Sequence, residues 1–154
     1  MKAATWFRIT SVVMLLFAAG HTFGFLTFRP ATAEGQAVWA AMNSVHFAAK
    51  HGTYSYAGFY LGFGLFVSSF YVFEVWLLWF LARMAERGVA EARTIAWGLC
   101  GLQVVGAGLS VRYFAGAPAV LSVVAAICLG MGAVRMRSAV PSGLESRGEA
   151  RIPV

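Results

Sequence analysis

The chain has 154 residues, 60% of them hydrophobic and 12% charged, against roughly 25% charged residues in an ordinary soluble domain. That much apolar surface excludes a water-soluble globule and leaves room for a single membrane domain, predicted over residues 1–134. The net charge of +6 invites a nucleic-acid partner, but the 12 basic residues lie between apolar runs rather than in one patch, so they read as topology signals and nucleic acid is excluded.

The first apolar run follows Lys2 and Arg8 and spans about residues 9–28. Its flanks, with Ala31-Thr32-Ala33 before Glu34, also resemble a secretory signal and its cleavage site. Signal cores run about 7 to 15 residues, however, so this longer run predicts a retained helix. Further runs cover about 55–82, 94–111 and 118–134. A bilayer core about 30 Å thick needs about 20 residues at 1.5 Å rise. Four spans follow, and the fold predicted is an all-α integral membrane four-helix bundle. Arg112 to Pro118 leaves room only for a tight hairpin between the last two spans.

Between the first two spans, residues 34–50 show helical periodicity, with Val38, Met42, Val45 and Ala49 on one face and Trp39, Asn43, His46 and Lys50 on another. An extra amphipathic helix on the outer membrane interface is predicted there. Residues 135–154 lose hydrophobicity and carry Pro141, Gly143, Gly148 and Pro153, which predicts a disordered tail. Lys2, Arg8, Arg83, Arg87, Arg93, Arg135, Arg137, Arg147 and Arg151 fall on one side of the spans, and Arg29, Lys50 and Arg112 on the other. Basic loops stay inside, so both termini are predicted to be cytoplasmic.

Ionisable groups inside a span are costly and therefore informative, and His21 and Glu74 are the two candidates. Counting helical rise from Ile9 and Ala82 brings them within one turn of the same depth, with Gln103 of the third span nearby. Helical spacing turns Tyr60, Gly64, Tyr71 and Glu74 inward on the second span, and Cys100, Gln103, Gly106 and Ser110 on the third. His21, Tyr60, Tyr71, Glu74 and Gln103 are thus the candidate ligand-binding residues. Glu74 and His21 are also the candidate proton-exchanging pair of a catalytic site, although the same groups can serve purely to hold helices in register.

Gly20-xxx-Gly24 and Gly58-xxx-Gly62 predict close helix packing. Gly62 and Gly64, among Phe59, Tyr60, Phe63 and Phe66, are also suited to shape a crevice for a flat or isoprenoid ligand. Cys100 and Cys128 sit in apolar runs as small packing residues. No metal site is predicted, since His46 and His51 are five apart and fall on different helix faces. No cofactor is predicted either, because only His21 lies deep enough to face a haem. Nucleotide-binding loops and hydrolase motifs are absent.

Gly20-His21-Thr22, the segment Tyr56-Ala57-Gly58-Phe59-Tyr60-Leu61-Gly62-Phe63-Gly64-Leu65, and Arg112-Tyr113-Phe114 resemble a family of small, uncharacterised bacterial four-helix inner-membrane proteins. The likeness covers most of residues 6–134. It implies a multi-pass protein of the bacterial inner membrane and supplies no catalytic residues. Weaker likenesses run to small quinone-associated proteins of the DoxX type and to membrane sterol isomerases.

The primary expectation is a non-catalytic accessory component, with the lipid bilayer around it and an apolar small molecule or a partner membrane protein as its ligand. The alternative is a cofactor-independent, isomerase-like enzyme acting on an apolar lipid or isoprenoid through Glu74 and His21. Conduction has the least support, since Thr22 and Thr27 are the main polar groups beyond His21 on the first span.

Overall fold

The computed structural model describes residues 1–114 and 116–136. Five helices and one hairpin follow in order: α1 (Ala3–Thr27), α2 (Ala33–Ser44), β1 (His46–Ala49), β2 (Gly52–Ser55), α3 (Tyr56–Glu86), α4 (Glu91–Tyr113) and α5 (Gly116–Arg135). Four of them, α1, α3, α4 and α5, are long and apolar enough to cross a membrane. The architecture is the expected all-α four-helix membrane bundle.

These helices overrun the predicted spans at most of their ends. Arg8, Arg83, Glu86 and Glu91 end an apolar stretch without ending a helix, because a charged side chain is an adequate helix former once it can reach water. At the other boundary, α5 carries on through Arg135 and Met136 is buried, so the predicted tail does not begin at residue 135. The rest of that tail, residues 137–154, lies outside the described residues.

The four long helices run up, down, up and down. One end of the bundle, here the near end, holds Lys2, Arg8, Arg83, Arg87, Arg93 and Arg135, while Arg29, Lys50 and Arg112 are at the far end. At the near end Arg8 pairs with Glu86 at 2.8 Å and lies over Trp79 at 5.4 Å, while Arg135 covers Trp6 at 5.4 Å. Both partners of the ion pair are half exposed, so it contributes only about 0–1 kcal/mol. The arrangement is an interfacial belt of arginine and tryptophan.

The turn from α3 to α4 is a Schellman cap. Val89 N–H donates to Met84 O at 3.1 Å and Gly88 N–H to Ala85 O at 3.3 Å, with Gly88 in the left-handed region at φ 73°. An added Cβ there meets nothing within 4 Å. Gly88→Ala is therefore expected to lower stability through backbone strain alone, by about 1 kcal/mol, in a thermal melt of the purified protein. An unchanged melting point would show that the cap does not hold the turn.

The outer connector departs from prediction. The helix begins as expected, with Thr32 Oγ1 accepting from Gly35 N–H at 3.1 Å and Glu34 in the first turn. It stops at Ser44, and residues 46–55 form an antiparallel hairpin pairing His46 with Ser55 and Ala49 with Gly52. The predicted helix over 34–50 is thus correct only for its first two-thirds. Side chains compete for the backbone at the break: Asn43 Nδ2 donates to Trp39 O at 2.8 Å and Ser44 Oγ to Ala41 O at 3.3 Å. Phe47 then gains a cross-strand partner in Tyr54 and packs against Tyr56 and Phe59 at the start of α3. A helical Phe47 would forgo that aromatic cluster.

Packing is uneven along the bundle. α1 lies along both α3 and α5, α4 lies along α5, and α3 and α4 touch only sparsely. Toward the near end Phe7, Met14, Leu78, Leu81 and Leu129 are fully buried, and Gly132 is held against the Phe7 ring so closely that a Cβ would overlap it. Toward the far end the buried residues are small: Ala57, Gly64, Ser68, Ser110, Ala119 and Ser122. The glycines predicted to pack helices do not do so. Added Cβ atoms at Gly20, Gly24 and Gly62 meet nothing within 4 Å, and at Gly58 only the Ser55 capping hydroxyl. The close approaches fall at Gly64 and Gly132 instead.

Candidate functional site

Glu74 and Gln103 are brought together as the sequence suggested. Both are buried, and Gln103 Nε2 donates to Glu74 Oε1 at 2.8 Å. The bond joins α3 to α4, the pair of adjacent helices with the least mutual packing. Tyr71, one turn along α3, interacts electrostatically with Glu74.

His21 belongs to a separate group. Its Nδ1 lies 3.1 Å from Ser68 Oγ, and Thr22 Oγ1 lies 2.9 Å from the same oxygen. Phe17 stacks on Tyr71 at 4.6 Å and Phe25 covers Gly64, which fixes the register of α1 on α3. Ser68 and Glu74 are six residues apart, so His21 is bound about 9 Å along the helix axis from Glu74. The depth expected from Ile9 and Ala82 put the two within one turn. Those residues ended the apolar runs and not the helices, so the count began from the wrong points. The only link between the groups is the edge of Tyr71, 5.4 Å from the His21 ring centre.

Above this polar layer, toward the far end, is a cavity of about 440 Å³. Phe17, Phe25, Tyr60, Phe63 and Phe114 supply its aromatic walls, and His21, Tyr71 and Ser110 its polar points. Of the predicted ligand-binding residues, His21, Tyr60 and Tyr71 line it, whereas Glu74 and Gln103 do not. Gly64 lines it too, as does Pro118 in the first turn of α5, where proline is tolerated. Phe63 and Phe114 are themselves exposed on the outside of the bundle, so the cavity reaches the lipid-facing surface between α3 and the α4–α5 turn.

No family model, curated protein or solved structure matches the chain. The site's chemistry is therefore read from its own residues.

Ser68 and Thr22 were missed by sequence reasoning. The signal was present: Ser68 is one turn beyond Gly64 on the same face of α3, and Thr22 adjoins His21. Short hydroxyls in helices usually bond their own backbone, which hides a role between helices. Two other spaces flank the site. One of about 360 Å³ near Arg29, Trp39 and Asn43 shares Phe25 and Tyr60 with it, and one of about 550 Å³ opens in the near-end rim beside Lys2, Glu86 and Arg135. Among the described residues no three His, Cys, Asp or Glu side chains converge to hold a metal ion.

Proposed function

We propose that the protein binds an apolar, lipid-like molecule in the His21 cavity and acts as a non-catalytic accessory component of a bacterial inner membrane, with both termini cytoplasmic. The observation that carries this reading is the cavity of about 440 Å³ with aromatic walls and a single imidazole. Its size falls within the roughly 300–1,000 Å³ of small-molecule sites, and a mostly apolar wall with few polar points is their usual make-up. The orientation draws support from the six basic side chains at the near end against three at the far end.

An isomerase working through Glu74 and His21 has less in its favour. Glu74 is committed to Gln103, does not line the cavity, and has no hydrogen-bonded route to His21. Proton exchange requires hydrogen-bond reach or a bridging water.

Native mass spectrometry of the purified protein, followed by extraction, tests the binding reading. The wild type is expected to retain a molecule besides bulk phospholipid. Val67→Trp, which projects into the cavity, is expected to lose most of it, whereas Val12→Trp on the exposed face of α1 keeps it. Equal retention by the two variants, or nothing retained by the wild type, would overturn the reading.

A further inference from the structure

Four close polar contacts meet where α1 crosses Ser68. Thr22 Oγ1 lies 2.8 Å from Ala18 O and 2.9 Å from Ser68 Oγ. Ser68 Oγ lies 3.1 Å from Gly64 O and 3.1 Å from His21 Nδ1. Each contact needs one proton. A hydroxyl supplies only one and a carbonyl none, so Thr22 and Ser68 satisfy two contacts between them.

A third proton is available only if His21 carries it on Nδ1 and donates to Ser68. With Nδ1 bare, two of the four contacts would set lone pairs against each other at hydrogen-bonding distance. With Nδ1 protonated, only one does. The ring cannot turn over without giving up Ser68, and it is held flat against Phe25 and edge-on to Tyr71.

A neutral imidazole protonated at Nδ1 presents Nε2 as a hydrogen-bond acceptor. Nε2 has no protein partner among the described residues, and the ring edge that bears it is the one away from Ser68, in a side chain that lines the cavity. Resting on the binding reading above, we infer that the cavity selects an amphiphile with a hydroxyl headgroup, an alcohol or phenol on an isoprenoid-like tail, over the matching carbonyl compound. A hydroxyl donates to Nε2. A ketone or aldehyde oxygen meets it lone pair to lone pair.

Farnesol and farnesal differ at this one group and serve as probes on the full chain in phospholipid nanodiscs. The wild type is expected to bind farnesol about five- to ten-fold more tightly, the value of one hydrogen bond. His21→Phe is expected to bind both equally. Nitrogen-15 spectra of the ligand-free protein should show His21 protonated at Nδ1 and bare at Nε2, a readout that needs neither a variant nor a ligand. Equal affinities in the wild type, a preference for farnesal, or a proton on Nε2 would overturn the selectivity while leaving the cavity's occupancy intact. If neither probe binds in competition with the Val67→Trp change, the binding reading itself fails and the selectivity falls with it.

Discussion

Gly64→Ala is expected to lower the stability of the bundle by about 1–3 kcal/mol and to cut ligand retention as well. A Cβ at position 64 overlaps the outer edge of the Phe25 ring, and overpacking a filled contact costs an amount of that order. The ring has little freedom to yield. His21 stacks on it at 5.9 Å and Tyr60 leans on it at 5.2 Å, so its way out is into the cavity. Phe25→Ala added to Gly64→Ala should restore stability relative to the sum of the two single changes, since contacting residues couple by about 0.5–3 kcal/mol. Thermal melts of the four proteins, with retained ligand measured on each, provide the check. Strict additivity would mean that the two residues do not meet.

The second large effect belongs to the bond across the α3–α4 seam. Gln103→Leu leaves the buried Glu74 carboxyl without its partner, and an unsatisfied buried polar group costs about 1–3 kcal/mol. Hydrogen bonds measured between membrane helices average only about 0.6 kcal/mol, because the reference state finds other partners. The penalty for stranding one partner exceeds the net value of the bond, so the single change should be the worse one. Replacing both groups, Glu74→Met with Gln103→Leu, is expected to be close to neutral. A double replacement as damaging as the single one would assign the pair a role beyond joining two helices.

Much of the architecture was legible because the signals were long. Four apolar runs of spanning length and a helical face through Gly64, Tyr71 and Glu74 leave few alternatives, and Gln103 and Ser110 on α4 are buried as their spacing predicts. Helix ends were illegible in the same data, since charge marks where the hydrocarbon stops while Gly88 and the caps decide where the helix stops. The hairpin at His46–Ser55 was hidden because residues 34–50 satisfy a 3.6-residue period. Its decisive contact, Phe47 with Tyr54, Tyr56 and Phe59, joins residues that no single helical period relates. The glycines misled for a related reason. A spacing of four identifies a groove on one helix but says nothing about which neighbour occupies it, and Gly20 and Gly24 face outward while Gly64 carries the contact.

The candidate site shows the same division. Its residue types were readable, but the partnership of His21 with Ser68 rather than Glu74 depends on the register of α1 against α3, set by Phe17 on Tyr71 and Phe25 on Gly64. Register between helices is a tertiary quantity. An error of one and a half turns was enough to join two groups that are separate.

The seam between α3 and α4 has a consequence for how a ligand is supplied. With Glu74 and Gln103 closing it below the cavity and exposed Phe63 and Phe114 at the rim, a molecule arrives sideways out of the surrounding acyl chains. Occupancy is then governed by the ligand's mole fraction in the adjoining leaflet, not by its aqueous concentration. Solubilisation in excess detergent dilutes that two-dimensional reservoir and empties the site, whereas extraction in native lipid patches carries the reservoir along with the protein.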